Sequence, residues 1–343
     1  FKLRSRRKHT FHIAIGFANE DSKALAEAVI AKAEDNPFGA FASMWKKHLP
    51  DFSDERDQER RMAMYTSAHR VEASAVYSEY FQETFIPGLA DIAYRFGENV
   101  SNRDHINAAL QACHTNPELA RSIIRYVMKQ SGFDGIIPES NKGYGYIPSD
   151  SYKENNIQLD VLNAVAEYLE KTGNYGFLEE WITVYPLERG EMQSVMTILE
   201  RYFLYLRDNP SQSASRLAMQ SAYLDKFIVQ MEKSGRASAA FMEALKEYSA
   251  KAGEHFRSID DYGIAELPYI LESKAITNYD KRELLDEAMD AGSADLRAVP
   301  GLSTFDGIEA SSLFRDSLKK ISMENVPVKD AAWILYCYYR LKE

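Results

Sequence analysis

The sequence predicts an all-α fold, an (α/α)6 toroid of helical hairpins entered from the last strand of a β domain. Three observations lead there. Only one stretch alternates as a strand does, and it lies at the start of the chain. Helical periodicity then runs almost to the end, in segments paired by alternating short and long connections. No self-similarity recurs at the fixed period of about 30–45 residues that a solenoid needs, and the longest connection is rich in Gly and Tyr, which suits a ring with its site at the loop end.

The strand is HTFHIAIGFA, residues 9–18, with Phe11, Ile13, Ile15 and Phe17 on one face and Gly16 interrupting the other. A lone strand has no partners, so it reads as the end of a β domain, and a chain opening at Phe1 reads as a piece of a longer protein. Residues 19–35 follow with an Asn/Asp cap signal and Leu25, Ala26, Val29 and Ile30 at helical spacing. Residues 37–49 begin with Pro37 and stop at Pro50. Residues 53–85 read as one long helical stretch, polar then aromatic, ended by Pro87-Gly88. Helices are expected at 101–115 and 117–130, parted by TNPE, in which Thr115 or Asn116 caps and Pro117 takes the first turn. After the loop GFDGIIPESNKGYGYIPSDSYKEN, helices are expected at about 156–172, 191–206, 212–234, 237–257, 280–290, 311–321 and 328–341. The domains are then 1–18, the end of the β domain; 19–52, linker helices; and 53–343, the ring.

Composition narrows the function. The 343 residues are 45% hydrophobic and 27% charged, ordinary for a globular protein with a large core. A net charge of −10 argues against a nucleic-acid partner or an anionic membrane surface. The 21 Tyr and 17 Phe suit stacking on sugars or bases, and equally an aromatic core. Cys113 and Cys337 are too few for a disulfide framework and fall in apolar helical patterns, so they read as buried hydrophobes of a reducing, cytoplasmic compartment. No apolar run is long enough to span a bilayer, and no signal peptide is visible. The seven His show no HExxH or paired Cys spacing, so no metal is expected; Walker, GxGxxG and GxSxG motifs are missing too. The basic run 4–8 reads as a solvated strand edge, and the charges at 54–61 as a solvated helix face.

Arg103 and Asp104 open a helix after a polar loop. Ser101 or Asn102 would suffice as a cap, with Asp104 meeting the positive end of the dipole. Alternatively, this helix start lines a pocket and holds a polar ligand.

Between residues 77 and 182 the sequence resembles the six-hairpin glycosidases, most closely the disaccharide phosphorylases and the phosphorylase-like domain of cyclic β-1,2-glucan synthases. The resemblance rests on IPGLADIAYRFG, NRDHINAAL, NPELARSIIRYVMKQ, DGIIPES, NKGYGY and QLDVLNAVAEYLEKTGNYGFLEE, in that order. It implies that the β domain before residue 19 is a β-sandwich. It also implies that Arg103 and Asp104 hold hydroxyls of the sugar on the non-reducing side of the cleaved bond. A carboxylate accepts from vicinal hydroxyls and a guanidinium donates in a fixed fork, so the pair can read a sugar edge.

Other matches depart from the pattern. The family's Ser-Asp pair is replaced by Asn155-Asn156, while Ser149-Asp150 stands slightly earlier, so Asp150 and Asn156 are both substrate-binding candidates, against an exposed loop as the plain reading. Tyr144, between glycines in KGYGY, could stack on a sugar ring or pack over the mouth. The family's acid loop is reduced to Arg207-Asp208-Asn209, which makes Asp208 the matching acid or an ordinary turn. The late segment AVPGLSTFDG offers Asp306 and Glu309 as the base.

The expected function is thus a carbohydrate-active enzyme that cleaves or transfers a glucosyl-type unit of an oligo- or polysaccharide, as an inverting glycoside hydrolase or phosphorylase. Its rival is a catalytically silent sugar-binding or scaffold domain of a larger polysaccharide-processing protein. No cofactor is expected beyond inorganic phosphate as a co-substrate, and homodimerisation is left open.

Overall fold

A computed structural model describes residues 22–35, 37–87, 99–142, 147–148, 157–210, 213–259 and 266–343. The strand expected at 9–18 lies outside them. The chain divides into two units, Phe1–Asp51 and Phe52–Glu343. In the first, helices α1 (Ser22–Asp35) and α2 (Pro37–His48) pack together. Pro37 opens α2, where its missing N–H costs nothing.

The second unit is mostly helical. It begins with α3 (Gln58–Ala73), capped by Asp57, whose carboxylate accepts from the Glu59 and Arg60 amides. The long helix expected over 53–85 is a correction: α3 ends at Ala73, and β1 (Val76–Ser78) pairs antiparallel with β2 (Glu83–Phe85). Val76, Tyr77, Thr84 and Phe85 are β-branched or aromatic, and that preference beats the helical spacing there. Glu83 of β2 is held by Arg125 at 2.7 Å and Lys129 at 2.8 Å.

Next, β3 (Asn99–Ser101) leads into α4 (Asn102–Thr115) and α5 (Pro117–Lys129). Asn116 caps α5 by accepting from the Leu119 amide, with Pro117 in the first turn as expected. β4 (Ser140–Lys142) pairs with β3 on one side and with β5 (Ile147–Pro148) on the other. The loop after α5 therefore returns to the start of α4. The helix α6 (Ile157–Thr172) is buried almost all round, as its near-continuous apolar sequence requires. The hairpin of β6 (Trp181–Thr183) and β7 (Met192–Ser194) then leads to α7 (Val195–Asp208).

Serine caps start α8 (Ala214–Ser234) and α9 (Ala239–Arg257): Ser213 accepts from the Arg216 amide and Ser238 from that of Phe241. The short α10 (Leu267–Glu272) precedes α11 (Asn278–Asp290), α12 (Val299–Phe305), α13 (Gly307–Lys319) and α14 (Val328–Arg340). Among the described residues no helix is long and apolar enough to cross a membrane.

Neighbour relations alternate along the chain. α4 packs on α6, α6 on α8, α8 on α10, α10 on α12, α12 on α14, and α14 back on α4. The odd-numbered helices attach to this circuit one by one: α5 to α4, α7 to α6, α9 to α8, α11 to α10, α13 to α12 and α3 to α14. The short strands and the helices α10 and α12 escape sequence reading because two to seven residues carry too little of either period.

Candidate functional site

One cavity of about 720 Å³ takes lining residues from all along the circuit. Arg103, Asp104 and Asn107 come from the first turns of α4, Asp160 from α6, and Met219 and Tyr223 from α8. Pro268, Tyr269 and Glu272 come from α10, residues 292–297 from the approach to α12, and Lys329, Asp330 and Trp333 from α14.

The start of α4 answers the capping question. Ser101 occupies the N-cap but makes no side-chain cap bond. Instead the Asn102 amide donates to the Glu139 carbonyl at 2.9 Å. The buried Asn102 side chain donates to Gln130 Oε1 at 2.9 Å and to the Pro138 carbonyl at 2.8 Å. The helix start is thereby fixed by the loop after α5. Arg103 and Asp104 are left facing the cavity.

There Arg103 Nε donates to Asp160 Oδ2 at 3.1 Å. The Asp160 side chain is only 6% exposed, and its other oxygen accepts no bond among the described residues. Burial pushes its carboxyl up to about 6, against the pull of Arg103. Asp104 is also raised by burial, with Lys329 and Arg103 opposing, and it makes no hydrogen bond among the described residues. Glu272 is half-buried and raised by burial, while Arg340 and Lys226 draw it down. The cavity thus holds three carboxyls displaced upward, Asp104, Asp160 and Glu272, beside the guanidinium of Arg103, with Arg297 also in its lining. Tyr223, Tyr269 and Trp333 frame them with apolar ring surface. Such a site can accept from, donate to and stack on a polyhydroxylated ring.

Nearer the C-terminal ends of α4, α6 and α14, Glu167 is fully buried and tied to several helices. It accepts from Lys226 of α8, from the Tyr336 hydroxyl of α14 at 3.3 Å, and pairs with His114 of α4 at 2.9 Å. Arg340 lies 3.9 Å away. Donor atoms of His114, Glu167 and Glu343 come within 4.8 Å of one another, a spacing that could hold a cation. Lys226, Lys171 and Arg340 already supply positive charge to these carboxylates, so the group reads as an ion knot rather than a metal centre.

The structure brings Arg103 and Asp104 together in the cavity and places the three expected catalytic residues elsewhere. Asp208 ends α7 with its side chain 61% exposed, paired with Arg207 at 2.9 Å. Only residues 209–213 separate α7 from α8. Asp306 caps α13, accepting from the Ile308 and Glu309 amides, and binds Arg282 at 2.9 Å; Glu309 binds the same guanidinium at 2.7 Å. Both sit at the N-terminal end of α13, whereas Ser317 and Lys320 at its other end line the cavity. Tyr144, Asp150 and Asn156 lie outside the described residues.

Sequence reasoning missed Asp160 and Glu272. Their signal was an isolated acid inside an apolar helix, IQLDVL and LPYILE, where a charge needs a reason. Cys113 and Cys337 are buried and free. No protein-family model matches the chain, and no curated protein is significantly similar to it.

Proposed function

We propose that the second unit is an (α/α)6 toroid whose mouth is this cavity, and that it is a carbohydrate-active enzyme acting on a glucosyl-type unit of an oligo- or polysaccharide. The closed circuit of even-numbered helices, each with an odd-numbered partner, supports the ring. The observation that carries the function is the Arg103–Asp160 pair beside Asp104 in a cavity framed by Tyr223, Tyr269 and Trp333. A planar donor fork, carboxylate acceptors and ring faces are what a sugar's edge and faces require. Asp104 and Arg103 then hold sugar hydroxyls, and carboxyls raised by burial are available to move protons. Inorganic phosphate or water is the acceptor of the glycosyl unit, with no resident cofactor. Two buried free thiols fit a cytoplasmic setting.

A second reading has its own support. Asp208, Asp306 and Glu309 all stand outside the cavity in ion pairs, which suits a silent sugar-binding domain. Titration with glucooligosaccharides, followed by turnover assays with and without phosphate, separates the two. Binding with turnover supports the enzyme; binding without turnover supports the silent domain. Absence of binding removes both. Asp104→Asn removes an acceptor's charge where no cap bond exists, so affinity should fall by roughly 1–3 kcal/mol with melting unchanged. A lower melting temperature with intact binding would return Asp104 to helix chemistry.

A further inference from the structure

We propose that the first turn of α8 is an anion subsite, in which Arg216 takes an oxyanion carried by the sugar itself, a carboxylate or a phosphate ester. The proposal rests on the carbohydrate reading of the adjoining cavity, and it makes the substrate an acidic sugar.

Arg216 is the third residue of α8 and is only 4% exposed. Its Nε and Nη2 are buried and make no hydrogen bond, and the guanidinium makes no ion pair among the described residues. A guanidinium cannot shed its charge, so burying one unpaired is costly. Tyr248 of α9 lies within its electrostatic reach, but burial raises that phenol above its ordinary value and leaves it uncharged at neutral pH. The Tyr248 hydroxyl already donates to the Leu206 carbonyl at 2.8 Å and accepts from Gln220 Nε2 at 2.9 Å. Arg216 is a buried cation waiting for an anion.

Helix geometry puts this charge beside the cavity. Arg216, Met219 and Tyr223 stand at i, i+3 and i+7 on one face of α8, and Met219 and Tyr223 line the cavity. Arg216 precedes Met219 by about 4.5 Å along the helix axis. The first turns of α4, α6 and α14 line the same cavity, through Asp104, Asp160 and Lys329. A long helical side chain leans back toward its helix N-terminus, so the guanidinium extends over the first turn of α8. The Ala214 and Ser215 amides of that turn donate no hydrogen bond among the described residues. Free amides, the positive end of the helix dipole and a guanidinium fork together form a receptor for an oxyanion.

The other cations are less suited to the part. Arg103 is tied to Asp160 at 3.1 Å and Arg297 to Asp295 at 2.8 Å. Lys320 and Lys329 make no ion pair among the described residues, but both are exposed, where water already solvates an ammonium. Arg216 has given up its water without gaining a partner, so an oxyanion gains most there. An oxyanion attached to the sugar lets one ligand fill cavity and subsite together, with its hydroxyls left to Asp104 and Arg103.

The test uses the intact chain and four probes: glucooligosaccharides, the same oligosaccharides bearing a glucuronic acid or a 6-phosphoglucose unit, and inorganic phosphate alone. Binding is read by calorimetry and stability by thermal unfolding. Wild type should bind one of the acidic sugars roughly ten- to a hundredfold more tightly than the neutral one, the scale of a charge-assisted hydrogen bond, and which of the two is preferred identifies the oxyanion. Arg216→Met should erase that preference and keep the neutral affinity. The free variant should melt no lower than wild type, because an apolar side chain replaces an unpaired buried charge. If Arg216→Met fails to fold, Arg216→Gln should show the same loss, and the comparison of acidic with neutral sugar in wild type stands without either variant. Equal affinity for acidic and neutral sugars in wild type overturns the subsite and leaves the carbohydrate reading standing. A preference kept in Arg216→Met and lost in the Lys320→Met, Lys329→Met double variant overturns the assignment to Arg216. An Arg216-dependent response to inorganic phosphate, with no preference among the sugars, overturns the acidic substrate. Binding of none of the sugars removes the carbohydrate reading, and this proposal with it.

Discussion

Asp160 occupies the first turn of an apolar helix, and its burial has a consequence for stability that its chemistry can be checked against. The groups facing it are Arg103 from α4 and the phenols of Tyr223 on α8 and Tyr269 on α10. Burial lifts the folded carboxyl from 3.8 to about 6, so the folded chain binds this proton more tightly than the unfolded one. Below about pH 4 both states are protonated and Asp160 costs nothing. As pH rises from 4 to 6 the unfolded state releases the proton first, and stability is lost on the order of 3 kcal/mol. Asn at this position cannot ionise, and the half-exposed Arg103 turns to solvent. Asp160→Asn should therefore melt higher than wild type at pH 7.5 and equally at pH 4, measured by thermal unfolding across that range. A variant less stable than wild type at pH 7.5 would show that the Arg103 pair outweighs burial. The contrast with Arg103 and Asp104 shows what a sequence displays at this scale. A charged pair after a polar loop is visible because it breaks the expected cap. A single acid inside a run such as IQLDVLNAVAEYL is hidden, because only the neighbouring helices reveal that it faces a cavity.

At the scale of elements, the link from α5 to α6 depends on one backbone position. Gly135 has φ +78°, and a Cβ there would sit 2.7 Å from the Arg201 carbonyl of α7. Its own carbonyl accepts from Gln158 Nε2 of α6 at 3.1 Å. One turn thus docks against α7 and is tied to the helix that bears Asp160. Gly135→Ala should destabilise by roughly 2 kcal/mol or more, from left-handed strain plus the clash. Gly173 is the control: φ is +63° but nothing lies within 4 Å, so Gly173→Ala should cost only the strain, about 1–2 kcal/mol. Urea midpoints for the two variants would check the difference, and equal values would mean the turn at Gly135 can move aside. Helix starts were legible in the chain because Asn116-Pro117, Ser213 and Ser238 are local signals that act on their own backbone. The β1–β2 hairpin was not, since Val76–Phe85 carries apolar residues at spacings that serve either period and packing on α5 decides between them.

Over the whole molecule, the circuit of helices has to be closed by something other than loops, because α4 and α14 are more than two hundred residues apart in sequence. Glu167 does this from α6. Its carboxylate meets His114 of α4, Lys226 of α8, and Tyr336 and Arg340 of α14, so four helices share one buried acceptor. Burial alone would raise this carboxyl, but Lys226, His114 and Arg340 outweigh it and hold it well below the usual range. The sign is opposite to that at Asp160: stability from Glu167 is present above pH 4.5 and is lost as pH falls below it. Glu167→Gln removes the charge while keeping the shape, and it leaves Lys226 and Arg340 without their buried counter-charge. Breaking such a pair costs about 3–5 kcal/mol, so the variant should melt several degrees lower at pH 7, with the gap narrowing below pH 4.5. Asp160 lies about two helical turns along α6 from the knot, so if the cavity takes a glucooligosaccharide as proposed, the folded variant should still bind it, any loss being passed through Glu272, which feels Arg340 and Lys226. Loss of binding in a folded Glu167→Gln protein would mean that the knot also sets the shape of the cavity.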